Sequence, residues 1–236
     1  MKKIIPYIAS NYRKDKIWLR RSDPNKRNFQ IMLAIDDSLS MSEQNVGFLA
    51  LESLTMMALA MSRLEIGQLA ISGIKQGLQL LHPFDKPLTS NEGPYILSQF
   101  KFQYFDENSS DLSMVNFLRQ GIDLFKEWKE RDSTAEQICF IISDGRLNKN
   151  LLRPLVREAE ENKQLYVFII LDKKEAKDSI MNIRSTKIEY VDGKANVTMT
   201  NYLDDFPFQF YIIVHDLSTL PKILVDILRQ YFESMK

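Results

Sequence analysis

Only one of the 236 residues is cysteine and two are histidine, and these scarcities exclude a good deal. A single thiol cannot build an internal disulfide framework. Cys139 lies in QICFIIS, whose apolar neighbours suit a buried core thiol rather than a nucleophile. His82 and His215 are far apart in the chain, with no serine or cysteine motif beside either, and read as ordinary core or surface histidines. Net charge is lacking as well, since Lys+Arg and Asp+Glu both total 31; global charge therefore favours neither nucleic acid nor membrane. No apolar stretch reads as membrane-spanning, and MKKIIPYIASNYRKDK breaks after a few apolar residues without a secretory cleavage pattern. Repeats, low-complexity tracts and Ser/Gly/Pro-rich linkers are missing too. What remains is one cytosolic or nuclear domain, large enough at this length to bury a sizeable core.

Charge is present locally. Residues 2–27 hold nine basic side chains (Lys2, Lys3, Arg13, Lys14, Lys16, Arg20, Arg21, Lys26 and Arg27) against Asp15 and Asp23. Residues 1–28 are read as a solvated basic extension packed on a domain formed by 29–236, with a patch for RNA or an acidic tail as the alternative.

Apolar patterning sets the fold class. FQIMLAI (29–35), QICFIIS (137–143) and LYVFIIL (165–171) are continuous apolar runs of strand length, as expected of strands covered on both faces. Further strands are expected at 66–72, 78–81 and 208–215. A largely buried helix is predicted over 44–62 and an amphipathic one over 112–130. A further helix is predicted over 149–162, and a last one is expected to be capped by Ser218 or Thr219, with Pro221 in its first turn. PYILSQFKF stays ambiguous. A hairpin insertion is expected at about 187–202, turning at Asp192-Gly193. Strands alternating with helices give an α/β class: a doubly wound, mostly parallel sheet flanked by helices.

Such sheets bind ligands at the carboxyl ends of their strands, and three acid- and hydroxyl-rich loops belong there. LAIDDSLSM (33–41) ends the first strand, NSSDLS (108–113) precedes a helix, and SDGR (143–146) ends a second central strand. Together they can bring Asp36, Ser38, Ser40, Ser110 and Asp144 to one point. Every donor in that set is a hard oxygen, which argues against zinc or copper and for Mg2+, with Mn2+ or Ca2+ as substitutes. Mostly neutral ligands would leave the ion net positive and attractive to an external carboxylate. A helix N-cap cluster is the plainer reading of Asp36, Ser38 and Ser40. Asp37 should leave the strand on the side opposite Asp36 and cap or salt-bridge locally. Asp111 and Arg146 fall near the rim as solvated surface.

Asp-x-Ser-x-Ser (Asp36, Ser38, Ser40), a hydroxyl ahead of a helix, and Ser-Asp-Gly (143–145) resemble the metal-ion-dependent adhesion site of the von Willebrand factor A fold. The second-loop hydroxyl is usually threonine in that family; here Ser109 and Ser110 compete, and Ser110 is preferred because Leu112 falls where the family places an apolar residue. IPYIASNYRKDKIWLRR, LAIDDSLSM, IISDGR and YLDDFPFQFYIIV…LPKILVDILRQYFE further resemble the C-terminal adhesion-site domain of the midasin family, giant AAA+ ATPases of large-ribosomal-subunit assembly. That resemblance implies one domain of a larger protein, located in the nucleus (nucleolus and nucleoplasm). It further implies that the domain grips ubiquitin-like domains of assembly factors through an acidic side chain on the metal and works with the AAA+ ring of its parent chain, with no direct nucleic acid or membrane partner. No Gly-x-x-x-x-Gly-Lys-Ser/Thr motif occurs here, so any ATP motor lies elsewhere and this domain is expected to bind rather than catalyse. The competing reading is an Mg2+-dependent phosphohydrolase or receiver-like domain. The first would want a second acid at position 38, and the second is met only loosely by Asp144 and Asp172-Lys173.

Overall fold

Both sides of the first strand, β1 (Phe29–Asp36), are covered, which is why FQIMLAID is apolar almost without alternation. The structure is a computed structural model that describes residues 28–63, 67–89, 91–103, 110–172, 179–191 and 194–226. The basic extension at 1–27, Ser109 and the Asp192-Gly193 turn lie outside the described residues.

After β1 a 3-10 turn (Leu39–Asn45) leads into α1 (Val46–Arg63), followed by β2 (Gly67–Ile74), β3 (Leu78–His82), the short α2 (Gly93–Ser98) and α3 (Ser110–Arg131). The chain continues through β4 (Glu136–Ser143), α4 (Lys149–Glu161) and β5 (Gln164–Leu171). A hairpin, β6 (Arg184–Val191) with β7 (Lys194–Asn201), precedes β8 (Phe210–Val214) and a helix, α5, over 220–226. The main sheet runs β3-β2-β1-β4-β5-β8, with only the β2/β3 pair antiparallel. The hairpin forms a separate two-stranded sheet.

Side chains alternate between two cores. Ile31, Leu33, Ile35, Phe140, Ile142, Val167 and Ile169 meet α1 and Leu220 on one side. Met32, Ala34, Cys139, Ile141, Phe168 and Ile170 meet α3 and α4 on the other. Phe117, Phe125 and Phe168 are fully buried, each contributing about 1.5–3 kcal/mol by leaving water. Cys139 sits in the second core, where burial pushes its thiol well above the ordinary range.

The α1 helix is long and apolar enough by composition to cross a membrane, a length the sequence reading did not credit. Here its buried residues, Leu49, Leu54, Met57 and Met61 among them, join the core. Its start also differs from expectation: a 3-10 turn occupies the chain as far as Asn45, whose φ is 62°, so the helix begins at Val46 rather than at 44. PYILSQFKF resolves into α2 and an extended exit. The last helix begins at 220, directly after Thr219, and is preceded by a 3-10 turn (Leu217–Thr219) that Asp216 caps. Its carboxylate accepts from the Ser218 amide (3.3 Å), and its carbonyl from the Thr219 hydroxyl (2.8 Å).

A row of glutamines crosses the sheet near its amino-terminal edge. Gln30 pairs in register with Gln68 and Gln137, and Gln137 with Gln164. Gln137 Nε2 donates to Gln30 Oε1 (2.7 Å) and to the Phe125 carbonyl (2.6 Å), while Gln30 and Gln164 donate to the carbonyls of Trp128 and Ile122. This polar seam fixes α3 along the sheet, and α3 begins at Ser110.

Candidate functional site

Strand order reverses on either side of β1, so the crevice that doubly wound sheets use for ligands opens at the carboxyl ends of β1 and β4. Asp36 is the last residue of β1 and Ser143 the last of β4. Asp36 Oδ1 accepts from the Ser38 amide (3.0 Å) and Oδ2 from the Ser143 hydroxyl (2.7 Å). The hydroxyls of Ser38 and Ser40 lie 3.0 Å apart. Asp144 is buried; its Oδ1 accepts from the Arg146 amide (3.1 Å), whereas Oδ2 has no hydrogen-bond partner among the described residues. Burial of the Asp36 carboxyl, reinforced by the negative charge of Asp144, pushes its pKa up to about 6 despite the hydrogen bonds that favour its ionised form.

Four of the five residues singled out in the sequence thus meet at one edge. The fifth, Ser110, is the first residue of α3, and its side chain lies outside the described residues, as does that of Asp111. His82 is buried, with a ring nitrogen 3.0 Å from the Lys86 carbonyl. His215 Nδ1 lies 2.5 Å from the Asp172 carbonyl, and among the described residues neither ring bonds a hydroxyl or thiol.

Asp37 departs from expectation. It does point away from Asp36, but its partners are not local. Its Oδ1 accepts from two successive amides, Lys101 (2.9 Å) and Phe102 (2.6 Å), and its Oδ2 meets Lys75 Nζ at 3.3 Å. Lys75 also reaches the Gln99 carbonyl (3.3 Å). Phe102 has a φ of 52°, and its ring lies where a Cβ on Gly47 would come within 2.6 Å. Nothing in DDS announces a partner more than sixty residues away.

The loop after Asp144 is held from beneath. Gly145 has a φ of 76°, and an added Cβ would meet Ile180 at 2.8 Å. The Tyr202 hydroxyl accepts from the Leu147 amide (3.0 Å), and it lies 2.9 Å from the Leu147 carbonyl and 3.1 Å from that of Gly145. Both Ile180 and Tyr202 stand at the feet of the β6–β7 hairpin.

This donor set fits a hard divalent cation. Two carboxylates interact at these strand ends, one carboxyl is driven towards its neutral form, and a buried oxygen of the other has no partner among the described residues. A cation there relieves both. Among the described residues no three His, Cys, Asp or Glu side chains cluster as a metal-binding group; the oxygens come largely from serine.

No family model matches the chain. Over 240 residues it is 43% identical to Midasin from Dictyostelium discoideum, and over 237 residues 37% identical to Midasin from Giardia intestinalis, with all of this chain covered in each case. Over its whole length the chain is similar to a segment of midasin. It spans 4% and 5% of the length of those two midasins. Among solved structures, the conserved hypothetical protein BatB from Bacteroides thetaiotaomicron matches with a TM-score of 0.56 at 13% identity, covering 87% of this chain and 100% of that one. That likeness is one of fold. The chain's own architecture is a doubly wound, mostly parallel six-stranded sheet flanked by helices.

Proposed function

We propose that this midasin-like segment is a metal-dependent protein-binding module that recognises an acidic side chain of its partner. Asp36, Ser38, Ser40, Ser110 and Asp144 would hold Mg2+, with Mn2+ or Ca2+ as substitutes. The bound ion would supply Lewis acidity towards a partner carboxylate, without any covalent step. The observation that carries the reading is the unpartnered, buried Asp144 Oδ2 beside an Asp36 carboxyl raised by burial and by its neighbour's charge. The three serine hydroxyls fill coordination positions without adding negative charge to that of the two carboxylates, which suits completion by an acidic ligand from outside. Exposed Leu39, between the two serines, and Leu112, two residues past Ser110, offer apolar contact near that acid.

The likeness to midasin points to the partner class: ubiquitin-like domains of large-subunit ribosome assembly factors, captured in the nucleus and worked on by the AAA+ ring of the parent chain. The deciding experiment measures binding of such a domain by titration calorimetry in Mg2+, in EDTA, and with Asp36→Ala. Affinity lost in EDTA and in the variant, with circular dichroism unchanged, supports the reading. Undiminished binding in EDTA overturns it, and magnesium-dependent turnover of a phosphoester would favour the enzyme class instead.

A further inference from the structure

We infer that Asp37 is a positioning residue for the metal centre, a buried anionic clamp that ties the approach of the second loop to the end of β1. The inference rests on the function proposed above and concerns the same site.

Its geometry is independent of any ion. Asp37 is 1% exposed, yet its side chain bonds groups from distant parts of the chain. One oxygen takes two consecutive amides, those of Lys101 and Phe102, at 2.9 and 2.6 Å; the other takes Lys75 Nζ at 3.3 Å. Two adjacent N–H groups converging on one carboxylate oxygen form a small anion nest. Phe102 itself adopts a left-handed conformation, uncommon outside glycine, directly after the second of these amides. Lys75, just past the end of β2, closes the arrangement by also binding the Gln99 carbonyl. The exits of β1 and β2 and the segment 99–102 are therefore fastened through one side chain.

Placement gives the clamp its purpose. Asp37 follows Asp36 directly, and Phe102 stands eight residues before Ser110. Side by side, Asp36 faces the hydroxyl cluster and Asp37 faces the segment leading to the second loop. Among the described residues Asp37 bonds none of the proposed ligands, so it acts through the backbone that it fixes next to Asp36; groups that orient ligands commonly change metal affinity about 10–100-fold when removed.

The test compares wild type, Asp37→Asn and Asp37→Leu, with Asp36→Ala as the site control. Two quantities are read: amide exchange at Lys101 and Phe102 in metal-free protein, and Mn2+ affinity by electron paramagnetic resonance. For Asp37→Leu, exchange at those two amides should rise at least about tenfold while β4 amides stay protected, and Mn2+ affinity should fall by about tenfold or more. Asp37→Asn keeps an oxygen acceptor but not the charge, so it should be intermediate, with roughly three- to tenfold weaker Mn2+ binding. Wild-type Mn2+ affinity in Asp37→Asn, or unchanged exchange at Lys101 and Phe102, overturns the inference. The asparagine variant also decides the matter if the leucine variant fails to fold. Should wild type bind no Mn2+, the proposed function fails, while the exchange data still report on the clamp by themselves.

Discussion

The Ser143 hydroxyl donates to Asp36 Oδ2 across 2.7 Å, joining the last residue of β4 to the last residue of β1. This bond favours the ionised carboxylate, against the burial and the Asp144 charge that oppose it. Ser143→Ala should therefore raise the Asp36 pKa further above about 6 in metal-free protein. A carboxyl carbon titration followed by NMR reads this directly, and an unmoved or lower midpoint would contradict the assignment.

A raised carboxyl in the folded state has a definite effect on stability. The metal-free native protein holds its Asp36 proton up to about pH 6, whereas the unfolded chain releases it near 3.8. The native state binds more protons in that window, so this group's contribution is fully present below about pH 4 and is lost as pH rises through 6. The loss amounts to about 2–3 kcal/mol. Urea denaturation of wild type and Asp36→Asn in EDTA at pH 4, 5, 6 and 7 should show the variant gaining on wild type as pH rises. Parallel curves would show that Asp36 titrates normally.

Cation binding should reverse that penalty at neutral pH. With Mg2+ at about 100 times its dissociation constant, stabilisation is about 2.7 kcal/mol, or a rise of roughly 5–11 °C in Tm for a domain of this size. Differential scanning calorimetry with Mg2+ and with EDTA measures it, and the rise should vanish in Asp36→Ala.

Gly145 is required by its conformation as well as by space. With φ at 76° and Ile180 only 2.8 Å from an added Cβ, Gly145→Ala should cost about 1–3 kcal/mol by chemical denaturation. It should also weaken Mn2+ binding, because the displaced residue follows Asp144.

The glutamine seam makes a stability prediction distant from the site. Gln137→Leu removes the donor to Gln30 Oε1 and the one to the Phe125 carbonyl. Stranding a buried acceptor costs about 1–3 kcal/mol, measurable by urea denaturation. A near-neutral result would mean that the row is replaceable by apolar packing.

Much of this was legible in the chain. The runs at β1, β4 and β5 announce strands buried on both faces, and Asp36, Ser38, Ser40 and Asp144 follow from where those runs stop. What escaped were roles set by distant backbone. Asp37 finds its partners at Lys101 and Phe102, and the positive φ of Phe102 leaves no mark in its residue type. Gln30 and Gln137 look like ordinary polar breaks in apolar runs until strand register sets them side by side. Tyr202 opens YLDDFPF, where nothing in the local pattern signals that its hydroxyl binds the loop after Asp144. Local pattern carries periodicity and strand ends; it does not carry contacts made across the fold.

The β6–β7 hairpin leaves and re-enters the domain at one doorway, where the Tyr202 amide donates to the Ile183 carbonyl at 2.8 Å. Two eight-residue strands extend from there for about 26 Å, forming no ladder with the six-stranded sheet. In topological terms the hairpin is a graft. It can be trimmed, lengthened or exchanged without rethreading the core, and a relative lacking it could close the gap between Ile183 and Tyr202 with a short turn and keep every main-sheet strand in register.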